Sequence, residues 1–187
     1  ETGTIWLDPS RTSPYLFYQF WINVDDADVG RFLRYFTFLE HEAIEALDRT
    51  TAERPERREA QRALAREVTR LVHDEAALAS AERITEALFS GELARLTAED
   101  LAQLEQDGMP AIAVESEATK VGEALVGLEL AQSNSAAMKL IKSGAVSANG
   151  EPVNDPAASL AEAERLGGRY VLLRRGKRHW GLVRIAG

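Results

Sequence analysis

The chain has 187 residues, enough for one large domain or two small ones, each with a core of its own. Apolar residues make up 45% and argue against disorder, and the absence of cysteine excludes disulfides, thiol nucleophiles and cysteine-based zinc sites, as suits a reducing cytosol. No apolar run approaches the roughly 20 residues of a membrane span, and the net charge of −8 weighs against a nucleic-acid partner for the chain taken as a whole.

Thr12-Ser13-Pro14-Tyr15 is a helix start, with Ser13 as N-cap and Pro14 at the first helical position. The helix runs through Leu16, Phe17, Phe20 and Trp21 and stops near Asn23. Asp25 or Asp26 caps a second helix, whose apolar residues Val29, Phe32, Leu33 and Phe36 fall at helical spacing. A third is expected over about 42–49. The longest pattern begins near Pro55, with Ala60, Leu64, Val68, Leu71 and Val72 as its buried stripe, and another helix follows Asp74 over about 75–89. Gly91 breaks it. Thr97-Ala98-Glu99-Asp100 then reads as a capping box, with Asp in place of the usual Glu or Gln, ahead of Leu101 and Leu104.

Gly108 and Pro110 mark 108–117 as a linker. Past it, a helix over about 120–128 leads to the N-cap cluster Ser133-Asn134-Ser135, and the helix after that carries Met138, Leu140 and Ile141 until Gly144 ends it. Val146 to Ala148, the turn Asn149-Gly150 and Glu151 to Val153 predict a hairpin. Tyr170 to Arg174 and Trp180 to Ile185 predict two more strands joined through Gly176. The expected fold is mainly α, with a helical domain over 1–107, the linker over 108–117 and a small α+β domain over 118–187.

Charge is distributed unevenly. From Asn134 onward there are nine basic residues (Lys139, Lys142, Arg165, Arg169, Arg174, Arg175, Lys177, Arg178, Arg184) and four acidic ones, a local balance of +5 that leaves −13 for the rest. A basic tail on an acidic body points to a polyanion site confined to the C-terminal end. Lys139 and Lys142 are three apart and share a helix face turned away from Leu140 and Ile141. The helix start at Ser133 to Ser135 offers backbone N–H groups to phosphate. Arg174, Arg175, Lys177 and Arg178 surround a turn, with His179 and Trp180 beside them as stacking groups for an unpaired base. Ser143 and Asn149, at the ends of that helix and hairpin, complete the candidate RNA-binding set.

The run Ile5-Trp6-Leu7-Asp8-Pro9, then Thr12-Ser13-Pro14-Tyr15, Phe17-Tyr18-Gln19-Phe20-Trp21 and Asn23 with Asp25-Asp26, resembles bacterial tyrosyl-tRNA synthetases. Phe36-Thr37-Phe38-Leu39, Glu67-Val68-Thr69, Leu71-Val72-His73 and Glu86-Ala87-Leu88-Phe89-Ser90-Gly91 extend the resemblance, and Ser133 to Gly150 resembles the RNA-binding fold shared with ribosomal small-subunit protein four. In that family the opening run follows the KMSKS-type loop, so the resemblance implies a C-terminal fragment without the Rossmann-like domain that holds ATP and tyrosine. The loop-like opening Glu1-Thr2-Gly3-Thr4 agrees with a fragment, and the lack of a signal peptide then carries no information. The implied function is binding of tRNA(Tyr) in the cytoplasm, with no catalysis and no cofactor in the fragment, ATP in the parent enzyme and no membrane partner. The fragment is expected to be monomeric and the parent homodimeric through the missing domain. Asp25 and Asp26 are implied as acceptors for anticodon bases, a reading that helix capping matches evenly. Where the family often carries Lys and two Arg, this chain has Asn134, Met138 and Lys139, which removes two charges from that helix face.

Other features have plainer readings. The aromatics from Tyr15 to Phe38 are spaced for core packing, with one or two at most left to touch RNA. Arg54, Arg58, Arg62, Arg66 and Arg70 form a stripe best read as a solvated helix face. His41-Glu42 lacks the second His of a zinc helix, since residue 45 is Glu. A free-standing RNA-binding module and a helical scaffold for a protein partner are the competing functions.

Overall fold

The computed structural model describes residues 4–186, so the expected loop at Glu1 to Gly3 lies outside the described residues. The chain divides into two compact units, Glu1–Glu82 and Arg83–Gly187.

The first unit is helical. α1 (Pro14–Ile22) starts as its sequence dictates, the Ser13 hydroxyl accepting from the Leu16 N–H at 3.0 Å with Pro14 in the first turn. α2 (Asp26–Phe36) and α3 (His41–Glu53) follow. The expected continuous helix from Pro55 is interrupted. A 3₁₀ turn, Pro55–Arg57, is followed by Arg58 at φ +49°, and only then does α4 (Glu59–His73) begin. The left-handed Arg58 makes a tertiary contact: its guanidinium donates to the Ile22 and Val24 carbonyls at 2.7 and 3.2 Å and so closes the end of α1. Phe17, Val24, Val29, Leu33, Ile44, Ala60, Leu64 and Val68 form one core, and Tyr18, Ala65, Leu78 and Ala81 a second. Each large side chain so buried contributes roughly 1.5–3 kcal/mol.

Part of the expected core is outside. Leu71 lies on the α4 stripe by angle but is 58% exposed, and Tyr35, Phe36 and Phe38 are exposed as well. These residues sit where α2 and α4 end, and Phe36, Phe38 and Leu71 line an open groove of about 300 Å³ with Glu67 and Arg70. Helical periodicity predicts the direction of a side chain but not whether a neighbour is present there.

α5 (Glu75–Ser90) carries the chain across the division between the units. In the second unit, α6 (Ala98–Gln106) opens with the predicted capping box: Asp100 N–H donates to the Thr97 hydroxyl at 3.2 Å and Thr97 N–H to the Asp100 carboxylate at 2.9 Å. The stretch expected as a linker contains β1 (Ala111–Val114), which pairs in parallel with β5 (His179–Ile185). Its Ala-Ile-Ala-Val alternation half-buries Ile112 and Val114 against the core. Gly108 and Pro110 are thus the turn into a strand, not a tether, and the Leu182 N–H donates to the Pro110 carbonyl at 2.8 Å.

α7 (Val121–Gly127), α8 (Asn134–Lys142), β2 (Val146–Ala148), β3 (Glu151–Pro152) and β4 (Tyr170–Arg175) complete a five-stranded sheet of order β1-β5-β4-β2-β3. Asn149 at φ +49° and Gly150 at φ +91° give the primed two-residue turn expected between β2 and β3. Val171, Leu173, Val183 and Ile185 point to one face and join Val121, Leu125, Ala137 and Ile141 in the core under α7 and α8. The alternate residues Leu172 and Leu182 are equally buried on the other face, where Arg184 reaches Glu105 of α6 at 3.5 Å.

Candidate nucleic-acid interface

α8 presents its basic residues as predicted. Ala137 and Ile141 are buried, Leu140 is half-buried, and Lys139 and Lys142 are exposed in the last turn, where the helix dipole favours cations. At the other end the Ser133 hydroxyl caps the Ala136 N–H at 3.2 Å, which leaves the N–H groups of Asn134 and Ser135 without an intrahelical acceptor. Ser133, Asn134 and Ser135 are all exposed. The Ser143 hydroxyl is turned back to the Leu140 carbonyl at 2.9 Å.

The basic turn lies close to the end of α8, because the Gly176 N–H donates to the Ala145 carbonyl at 2.8 Å. Lys177 and Arg178 are exposed at its tip and His179 is exposed at the start of β5. The two adjacent arginines behave differently. Arg175 faces the α7–α8 side, paired across the strands with Val146 and His179, and its guanidinium donates to the Leu130 carbonyl at 2.8 Å. Arg174 faces the opposite side, over the Trp180 ring at 5.0 Å, and its Nε has no hydrogen-bond partner. The predicted stacking group Trp180 is therefore already stacked on an arginine, which is how a half-buried indole and a guanidinium satisfy each other.

Asn149 is taken up by the fold. Its side-chain oxygen accepts from the Leu172 N–H at 2.8 Å and its amide donates to the Glu164 carbonyl, so it fastens the hairpin and offers little to a ligand. The nine cations of the C-terminal stretch are not equally available either, since Arg165 pairs with Glu117 and Arg184 with Glu105. Sequence reasoning missed Ser147, a buried residue whose hydroxyl has no partner and which pairs across the strands with Arg174. The signal was a polar residue alternating between Val146 and Ala148 in a strand; its neighbour was not readable.

In the helical unit Asp25 occupies the N-cap of α2 without a side-chain capping bond, and the Asp26 carboxylate accepts from Gln61 at 2.5 Å. Neither caps the helix through its side chain; both are exposed. In the arginine stripe, Arg66 pairs with Glu82, and Arg70 with Glu67 and Glu75. Among the described residues no group of three or more His, Cys, Asp or Glu is arranged to hold a metal, and no helix is long and apolar enough to cross a membrane.

Residues 1–90 match the family of class I tRNA synthetases (W and Y), and residues 100–183 match the tyrosine–tRNA ligase SYY-like C-terminal domain. The tyrosine–tRNA ligase of Aliivibrio fischeri is 53% identical over 182 residues, 97% of this chain. That of Dechloromonas aromatica is 51% identical over 98% of the chain, and that of Geobacillus kaustophilus 51% identical over 100% of the chain. The chain belongs to the tyrosine–tRNA ligase family. It spans 43% or 44% of the length of these relatives. Within this tyrosine–tRNA ligase segment the two family matches are separated by residues 91–99, which lead from the end of α5 into the first turn of α6.

Proposed function

We propose that this segment binds tRNA(Tyr) and positions it for ATP-dependent tyrosylation by the remainder of a tyrosine–tRNA ligase, with no cofactor or catalytic group of its own. The observation that carries the reading is the set of exposed cations, Lys139, Lys142, Lys177 and Arg178, gathered around the joined ends of α8 and the β4–β5 turn. Phosphate contacts made there supply affinity that falls with salt but carry no sequence information. Sequence reading falls to polar groups of the helical unit, and Asp25, whose carboxylate makes no capping bond, suits an acceptor for base N–H groups.

Fluorescence anisotropy with labelled tRNA(Tyr) and an unrelated tRNA, each at two salt concentrations, tests this. Preference for tRNA(Tyr) that survives the higher salt supports recognition by both units. Equal binding that vanishes with salt would leave only the basic grip and remove the anticodon-arm role. In the same assay Asp25→Ala is expected to narrow the gap between the two tRNAs while leaving the salt slope unchanged, because it removes an acceptor and no phosphate contact.

A further inference from the structure

Three strand registers place Pro152, Ser147, Arg174 and Trp180 in one transverse row across β3, β2, β4 and β5. Cross-strand partners share a face, and this row lies on the face opposite α7 and α8. Beside it is a hollow of about 260 Å³, lined by Ser147, Arg174 and Pro152 and rimmed by Gly144, Gly150 and Gly176. All three glycines have left-handed φ, and a Cβ added at Gly144 or Gly176 would meet nothing within 4 Å, so the backbone there is open to a ligand.

Two polar groups of the hollow are unspent. Ser147 is 6% exposed and its Oγ has no hydrogen-bond partner; Arg174 Nε is buried and has none either. A buried hydroxyl without a partner destabilises the fold, and alanine would fill the same strand position without that cost. Arg174 sits over the Trp180 ring at 5.0 Å, an attraction that pairs none of its N–H groups with a hydrogen-bond acceptor. No carboxylate lines this hollow. An adjoining hollow of about 350 Å³, which shares Pro152, is lined by Glu151, Asp155, Glu162 and Glu164. An anion is therefore drawn to the first and repelled from the second.

We propose that the Ser147–Arg174 hollow binds a single phosphodiester of an RNA strand, Arg174 Nε–H and the Ser147 hydroxyl donating to its non-bridging oxygens. The inference rests on the tRNA-binding reading and adds a contact on the sheet face away from α8. The exposed Lys177 and Arg178 continue the positive strip from the hollow along the adjoining turn.

The test is a salt series of anisotropy titrations with labelled tRNA(Tyr) on the full 187-residue chain and its Ser147→Ala and Arg174→Gln variants. Ser147→Ala is expected to weaken binding roughly fivefold with an unchanged salt slope and an equal or higher Tm, because the group removed is uncharged and unpartnered. Arg174→Gln is expected to weaken it about tenfold and to lower the salt slope by about one. If that variant melts early, the Ser147→Ala result decides. A parent chain that binds no tRNA overturns both readings, whereas a binding parent with an indistinguishable Ser147→Ala variant overturns the hollow alone. The Arg174 Nε–H resonance in the NMR spectrum is expected to shift with the diribonucleotide UpU; a resonance unmoved at saturating tRNA(Tyr) also sinks the proposal.

Discussion

The helical unit carries no lysine and draws its positive charge from arginines, whereas the C-terminal unit adds Lys120, Lys139, Lys142 and Lys177, none of which meets a carboxylate among the described residues. In the helical unit Arg31, Arg34, Arg57, Arg66 and Arg70 each meet a carboxylate, and Arg58 closes a helix end through its backbone carbonyls. In the C-terminal unit Arg83, Arg95, Arg165 and Arg184 are paired, but Lys139, Lys142, Arg174, Lys177 and Arg178 form no ion pair among the described residues. The difference teaches that local charge balance is a poor guide to available charge. A carboxylate neighbour converts a cation from a binding group into a structural one, and in water that exchange yields only about 0–1 kcal/mol per exposed pair.

The strongest way to break the comparison is at Asp100, where the C-terminal unit uses charge structurally. Its side chain is fully buried, accepts from Arg83 Nε at 2.6 Å and from a terminal guanidinium nitrogen at 2.8 Å, and takes the Thr97 N–H as well. Asp100→Ala removes the capping box and strands Arg83, whose side chain is 32% exposed and so can partly rehydrate. The expected loss is about 3 kcal/mol in urea unfolding, with the affinity of the folded protein for tRNA unchanged. Lost binding without lost stability would mean that the paired and free cations are not separate populations.

The free cations should show the reverse. Lys139→Ala with Lys142→Ala is expected to weaken tRNA binding about tenfold and to reduce the salt slope by about two. The stability cost is only a few tenths of a kcal/mol, from lost interaction with the α8 dipole. Arg66→Ala with Arg70→Ala in the helical unit, where both side chains already face acids, is the matched control and should leave the slope unchanged. Equal losses from the two double variants would erase the distinction between the units.

How much of this was legible beforehand depends on the range of the interaction. Features set within a few residues were readable: the Ser13 cap, the Thr97–Asp100 box and the Asn149-Gly150 turn. β1 was not, because four short residues between Gly108 and Pro110 on one side and a polar run on the other gain their identity from β5, some seventy residues later. The opposite facing of Arg174 and Arg175 follows from strand period alone, but that Arg174 would meet Ser147 and Arg175 the Leu130 carbonyl depends on register and packing. Exposure of Phe36, Phe38 and Leu71 was hidden for the same reason, since the pattern shows a face and not its cover.

The smallest expected effect is a difference in acid sensitivity between the two units. His73, at the end of α4, packs edge-on against Phe17 with ring centroids 4.7 Å apart, and its Nε2 is buried without a partner. Burial holds its pKa below the ordinary 6.5, against an opposing pull from Asp74. Between the folded value and 6.5 the unfolded chain binds a proton that the folded chain does not, so acidification favours unfolding. The stability is fully present above 6.5 and is lost as pH falls through the folded value. His73→Phe keeps an aromatic ring and removes the titration, so its urea midpoint should change less between pH 7.5 and pH 5.5 than that of the parent, by roughly the fall that one buried imidazole can cause. Were the two curves parallel, the acid sensitivity would lie in the carboxylates, and the helical unit's ion pairs would be the place to seek it.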